Sequence, residues 1–183
     1  MTIYFLRHAH RDIDDIRFDS SLNDNGKDFA ATILKEKIKS LSIDRFYSSP
    51  FRRVLQTITP SLKTHQKIYV DYSIAENLGD VILKDDHFIL TDEHYDNFPI
   101  DIDYLSQYDP SQYIFPETYE MLEKRCKQFC LFLSSTDHTN QNILICSHMD
   151  VLSVLIKILY NIDDIKLNMG DLITIQKNKI VYP

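Results

Sequence analysis

"NILICSHMD", residues 142–150, decides the fold. Its apolar stretch has no polar alternation, which marks a strand covered on both faces, as in a parallel sheet between helices. It ends in Ser147-His148, and "VLSVLIKILY" (151–160), apolar nearly all round, reads as a buried helix. "TIYFL" (2–6) repeats the pattern and ends in Arg7-His8. "RFYSS" (45–49), closed by Pro50, and "KIYVDYSI" (67–74) read as further strands, and "LITIQKNKIVY" (172–182) as a closing hairpin. Helices are expected over 22–41, with Phe29, Ile33, Leu34, Ile38 and Leu41 near helical spacing, and from Phe51 until Pro60 interrupts. Another spans about Thr118 to Ser134, with Tyr119, Leu122, Cys126, Phe129 and Leu133 on one face. The alternation predicts a single α/β domain over 1–183, a three-layer sandwich around a mainly parallel sheet.

Residues 80–117 break this rhythm. They are rich in Asp and aromatics, with Lys84 their only Lys or Arg, and are expected to form an inserted lid over one end of the sheet. Tyr95, Phe98, Tyr104, Tyr108, Tyr113 and Phe115 fit a local mini-core better than a stacking surface for a leaving group. His87 and His94, among acids, fit a solvated face better than a metal site.

The composition narrows the function. A formal net charge of -7 argues against a general nucleic-acid binder, while leaving room for a small phosphate pocket. No apolar run is long enough to span a bilayer, and "TIYFL" lacks the basic lead and longer apolar region of a signal peptide. Cys126, Cys130 and Cys146 are an odd, sparse set, read as free thiols in a reducing compartment, the cytoplasm, more readily than as a zinc site. None of the three glycines belongs to a phosphate-cradling loop. No cofactor is implied, and composition carries no signal of oligomeric state.

In an open parallel α/β sheet, ligands sit beyond the carboxyl ends of the strands. The strands here deliver Arg7 and His8, then Arg52 and Arg53, then Glu76 in "IAENLG", then His148. Cations gathered in a desolvated space repel one another unless an anion neutralises them. A phosphoryl group suits them, because guanidinium groups grip its oxygens in a fork. Singly, each residue is more often structural or surface-exposed; the joint pattern carries the signal.

These motifs resemble the histidine phosphatase superfamily, which includes cofactor-dependent phosphoglycerate mutases and fructose-bisphosphatases. "FLRHA" is similar to its opening Arg-His-Gly, "SPFRRVLQT" to its Ser-Pro-Leu-x-Arg-Ala-x-Gln-Thr, "PETYEMLEKR" to its Gly-Glu-Ser stretch, and "ILICSHM" to its Ser-His-Gly. The resemblance implies that His8 attacks phosphorus to give a phosphohistidine, with Arg7, Arg53 and His148 binding the phosphoryl group. His148 and Glu76 would complete the catalytic set, Glu76 as general acid with Asp12, Asp14 and Asp15 as its competitors. No metal is required. The implied function is metal-independent hydrolysis of a phosphomonoester on a small molecule or a phosphopeptide. The alternatives are a protein phosphohistidine or phosphotyrosine phosphatase, and a phosphate-binding or regulatory module that has lost turnover. Mutase activity fits less well, because the insertion is acidic.

The chain departs from the pattern at Ala9 and Met149, where the motifs have glycine; Met149 is expected to narrow the pocket or alter what binds. Asp14, near a phosphate-contacting Asn of mutase-like members, must point away or shape a different pocket. Arg11 suits either substrate recognition or a rim salt bridge. Arg52 is expected to point elsewhere while Arg53 faces the phosphate, since neighbouring helical residues diverge by about 100°.

Overall fold

A computed structural model of the chain describes residues 1–183 apart from 13, 16–18, 78, 80–89 and 178. One sheet holds β1 (Thr2–Arg7), β2 (Arg45–Ser48), β3 (Ile68–Val70), β4 (Asn142–Ser147), β5 (Leu172–Gln176) and β6 (Lys179–Val181) in the order β3-β2-β4-β1-β5-β6. The first four strands are parallel; β5 runs antiparallel to β1, and β6 closes a hairpin with it. β1 and β4 pair in register from Thr2↔Asn142 to Arg7↔Ser147. They therefore end level, and His8 N–H donates to the Ser147 carbonyl at 3.1 Å.

Side chains alternate across these strands, so the two faces build separate cores. On one face Phe5, Ile143, Ile145 and Ile173 pack with α5 (Tyr119–Ser135) and α6 (Met149–Tyr160). On the other, Leu6, Phe46, Leu144 and Cys146 pack with α1 (Asp24–Phe29), α2 (Lys35–Ser40) and α3 (Arg52–Ile58). This is the expected α/β sandwich, and the covering on both faces explains why the central strands carry no alternation.

The elements differ from the sequence reading in ways local chemistry explains. A π turn, Ala30–Leu34, joins α1 to α2. Its wider winding shifts the inward face to Ala30, Leu34 and Ile38 and leaves Ile33 56% exposed, against expectation. The third strand stops at Val70, short of the expected 74, because the Asp71 side chain accepts Ser73 N–H at 2.9 Å and starts a 3₁₀ turn. Pro60 ends α3 in a 3₁₀ turn, Thr59–Ser61, as expected. Thr118 caps α5, and Tyr119, expected on its buried face, is exposed in the first turn.

The expected lid falls partly on residues 80–89, including Lys84 and His87, which lie outside the described residues. The remainder borders the β3 edge: Pro99 and Asp101 exchange backbone bonds with Ile68, and Tyr104 OH donates to Asp71 at 2.5 Å. A short helix here, α4 (Asp92–Asn97), turns His94 inward, 5% exposed, to Asp19, so this histidine is not on a solvated face. Of the aromatics named, Phe98 is buried and Tyr104, Tyr108, Tyr113 and Phe115 pack against the two cores, while Tyr95 is exposed. All three cysteines are buried and free. Among the described residues, no helix is long and apolar enough to cross a membrane.

Candidate active site

The level ends of β1 and β4 bring two histidines together. His8 is 3% exposed and His148 1%, with ring centroids 5.2 Å apart in an edge-to-face arrangement. His8 Nδ1 lies 2.8 Å from the Ala9 carbonyl oxygen, which only accepts. Nδ1 therefore carries the proton and Nε2 keeps its lone pair. Burial, reinforced by the neighbouring His148 and by the charge of Arg53, holds His8 well below the usual histidine value, although Ala9 and Glu76 pull the other way. His8 is neutral at pH 7, the form in which an imidazole nitrogen has a lone pair to offer an electrophile.

His148 Nδ1 approaches Glu76 Oε2 at 2.8 Å, and its Nε2 approaches Ser49 Oγ at 2.9 Å. An Nδ1–H donated to the carboxylate leaves Nε2 to accept the serine hydroxyl. Burial pushes His148 down to about 4, with Glu76 opposing. Burial pushes Glu76 up, but His148, Arg53 and His8 outweigh it and hold the carboxyl well below its usual range. The resting pair is thus a carboxylate and a neutral imidazole.

Arg53, from the first turn of α3, donates to Glu76 Oε2 at 3.3 Å and comes within 3.4 Å of His148 Nδ1. Its guanidinium stacks over Phe51, 4.6 Å from the ring centroid. Arg52 diverges to Asp19 and Glu93. Thr57, one turn beyond Arg53, accepts Ala9 N–H at 3.0 Å and donates to the Arg53 carbonyl at 2.7 Å. A single hydroxyl thereby ties the His8 loop to the helix carrying Arg53. Arg7 donates from NH1 to the Leu167 carbonyl at 2.6 Å.

Glu76 is held from behind by Arg125, which is fully buried. Arg125 donates to the carbonyls of Ser73, Ala75 and Glu76 at 2.8, 2.9 and 2.9 Å, and forks onto Glu117 at 2.6 and 2.9 Å. The competitors for the acid role lie elsewhere: Asp12 and Asp14 are exposed in a turn where Asp14 N–H donates to Asp12 Oδ1, and Asp15 is half-buried. His8, Arg53, Glu76 and His148 are thus brought together, with Arg7 beside His8. The sequence reading missed the parts played by Ser49, Thr57, Arg125 and the Leu167 carbonyl. Ser49, Thr57 and Arg125 lay inside the quoted motifs, but nothing in the sequence pointed to Leu167.

Ligand atoms of His8, Glu76 and His148 lie within 4.8 Å of one another, a His₂Glu set that suits zinc. Residues so far apart in sequence showed no such cluster beforehand. Yet Arg53 occupies the same carboxylate oxygen and sits beside the same imidazole nitrogen. Fixed positive charge there favours an oxyanion over a cation.

The sequence model of the "Histidine phosphatase superfamily (branch 1)" matches residues 3–177. No curated protein matches the chain. Among solved structures, the ecdysone phosphate phosphatase of Bombix mori, in complex with tungstate, is similar at a TM-score of 0.75 and 16% identity, covering 100% of this chain and 92% of that one. The alpha-ribazole phosphatase of Shigella flexneri is similar at 0.70 and 21% identity, covering 100% and 95%. A phosphoserine phosphatase variant of Entamoeba histolytica, in complex with phosphoserine, is similar at 0.63 and 17% identity, covering 99% and 94%.

Proposed function

Since the chain belongs to branch 1 of the histidine phosphatase superfamily, we propose that it hydrolyses phosphomonoesters through a phosphohistidine on His8. The observation that carries this reading is a buried, neutral His8 whose Nδ1 is occupied by the Ala9 carbonyl, beside Arg53, His148 and Glu76. Arg7 and Arg53, joined by His148 once the phosphate's negative charge has drawn a proton onto its Nε2, hold the phosphoryl oxygens and spread their charge, the main protein contribution to this transfer. The Nε2 lone pair forms the N–P bond as the P–O bond to the leaving alcohol breaks.

The leaving oxygen takes a proton from Glu76. At rest Glu76 is ionised, held so by the hydrogen bond from His148 and the charge of Arg53. An incoming phosphate engages Arg53 and adds negative charge, so the carboxylate gains proton affinity and takes the proton that a monoanionic substrate carries. In the second step water attacks phosphorus, Glu76 receives its proton, the N–P electrons return to His8, and inorganic phosphate leaves.

A small phosphorylated molecule is the preferred substrate class, supported by the similar structure that holds phosphoserine. Buried free thiols support a reducing, cytoplasmic location.

The test is hydrolysis of p-nitrophenyl phosphate in excess EDTA, from mildly acidic to neutral pH, for wild type and His8→Ala. Activity that survives EDTA and vanishes in the variant is expected. Equal activity in both proteins would refute the nucleophile. Phosphate or vanadate binding without turnover would leave a binding module instead.

A further inference from the structure

Met149 stands where the resembling motif has glycine. Its Sδ accepts the Leu167 N–H at 3.1 Å, and its side chain packs against the core on the α5–α6 face. The carbonyl of the same leucine accepts Arg7 NH1 at 2.6 Å. One residue of the 161–171 strap thus connects a sulfur on the first turn of α6 to the guanidinium at the end of β1.

The strap is fixed on either side of that point. Ser153 Oγ lies 2.9 Å from the carbonyl oxygens of both Met149 and Ile165. Ile165 and Leu167 are 6% and 2% exposed. Gly170, at φ +83°, donates its N–H to the Arg7 and His8 carbonyls at 3.1 and 3.0 Å. Arg7 Nε is buried without a hydrogen-bond partner among the described residues, so the NH1 bond to Leu167 sets the orientation of the guanidinium. A carbonyl on one donor fixes the plane and leaves the other donors free to meet an anion.

We infer that Met149 is a positioning residue: its thioether holds Leu167 so that the Leu167 carbonyl aims Arg7 at the phosphoryl oxygens. This rests on the phosphatase reading of the rim. A smaller residue at 149 removes both the sulfur acceptor and the packing beneath the strap, and Arg7 loses its fixed plane.

The test titrates inorganic phosphate calorimetrically into wild type, Met149→Ala, Met149→Leu, Arg7→Met and the Met149→Ala/Arg7→Met double variant. Met149→Ala should weaken phosphate about tenfold, the scale of one charge-assisted hydrogen bond. KM for p-nitrophenyl phosphate should rise by a similar factor, with kcat changed much less. Met149→Leu keeps the bulk without the acceptor and should fall between the two. The double variant should bind no more weakly than Arg7→Met alone, because the effect runs through Arg7. Leu133→Ala, a core truncation on α5, serves as control: it should lower the melting temperature and leave phosphate affinity unchanged.

Wild-type affinity in Met149→Ala, or a full additional loss in the Arg7→Met background, would overturn the inference while leaving the phosphatase reading intact. Hydrolysis that survives His8→Ala would refute that reading and leave the binding comparison valid. A wild type that binds no phosphate overturns both.

Discussion

Replacing Arg125 with methionine should be among the most damaging single changes outside the reacting groups. The side chain is fully buried, and its guanidinium serves three backbone carbonyls as well as the Glu117 carboxylate, itself 5% exposed. Methionine fills much of the volume and supplies no donor. Breaking a buried ion pair from one side costs about 3–5 kcal/mol, and carbonyls that lose their donor add to this where water cannot reach them. Arg125→Met should therefore lose about 4–5 kcal/mol, a large part of the ~5–15 kcal/mol typical of a folded domain. Adding Glu117→Gln removes the buried negative charge that Arg125 neutralised and should recover about 2 kcal/mol, a gain no independent pair of destabilising changes would show. The assay is urea unfolding of both variants beside wild type, with kcat/KM measured in parallel, since the Glu76 carbonyl loses its tie. A loss under about 1 kcal/mol, or a double variant no more stable than the single, would refute the assignment of Arg125 as the brace of the Glu76 loop.

Gly26→Ala should cost about 1–3 kcal/mol by overpacking, because a Cβ there would lie 2.1 Å from the His10 carbonyl oxygen, which is backbone and cannot step aside; an unchanged melting temperature would contradict that contact. Thr57→Val should cost about 1–3 kcal/mol by stranding the Ala9 N–H, and kcat/KM should fall with it; a neutral effect on both would mean the tie is dispensable. Stability should also fall on acidification. Between about pH 6.5 and 4, the unfolded chain protonates histidines that the folded protein keeps neutral at His8 and His148, costing up to about 1.4 kcal/mol per pH unit for each. His148→Gln removes one share, so its plot of urea midpoint against pH should be shallower over that window, and parallel plots would argue against a neutral His148.

The sheet and its rim were legible in the sequence because continuous apolar strands have few other uses. "NILICS" and "TIYFL" became β4 and β1, and the residues just after them became the two facing histidines. Arg52 and Arg53 parted as helical geometry requires. What escaped were contacts between residues distant in sequence. "ENLG" placed Glu76 at the same rim as His148, but nothing in it says that the carboxylate bonds His148 Nδ1 or that Arg125 holds the Glu76 carbonyl. Met149 was expected to alter the pocket, because a missing glycine is visible and an acceptor for Leu167 N–H is not. Ile33 misled for a different reason: a 3.6-residue period cannot anticipate a π turn. Residues 80–117 had no period to read at all.

The strand order also sets a timetable for synthesis. β1 is made first, yet its two neighbours are β4 and β5, whose residues begin at 142 and 172. At about 5–20 residues per second, the ribosome needs roughly 7–27 s to reach the first of them. For that interval "TIYFL" is an apolar segment with neither partner in existence, and His8, just beyond it, has no second histidine to face. Chains released before β4 should be substrates for chaperones or proteases, and phosphate affinity should emerge late and all at once.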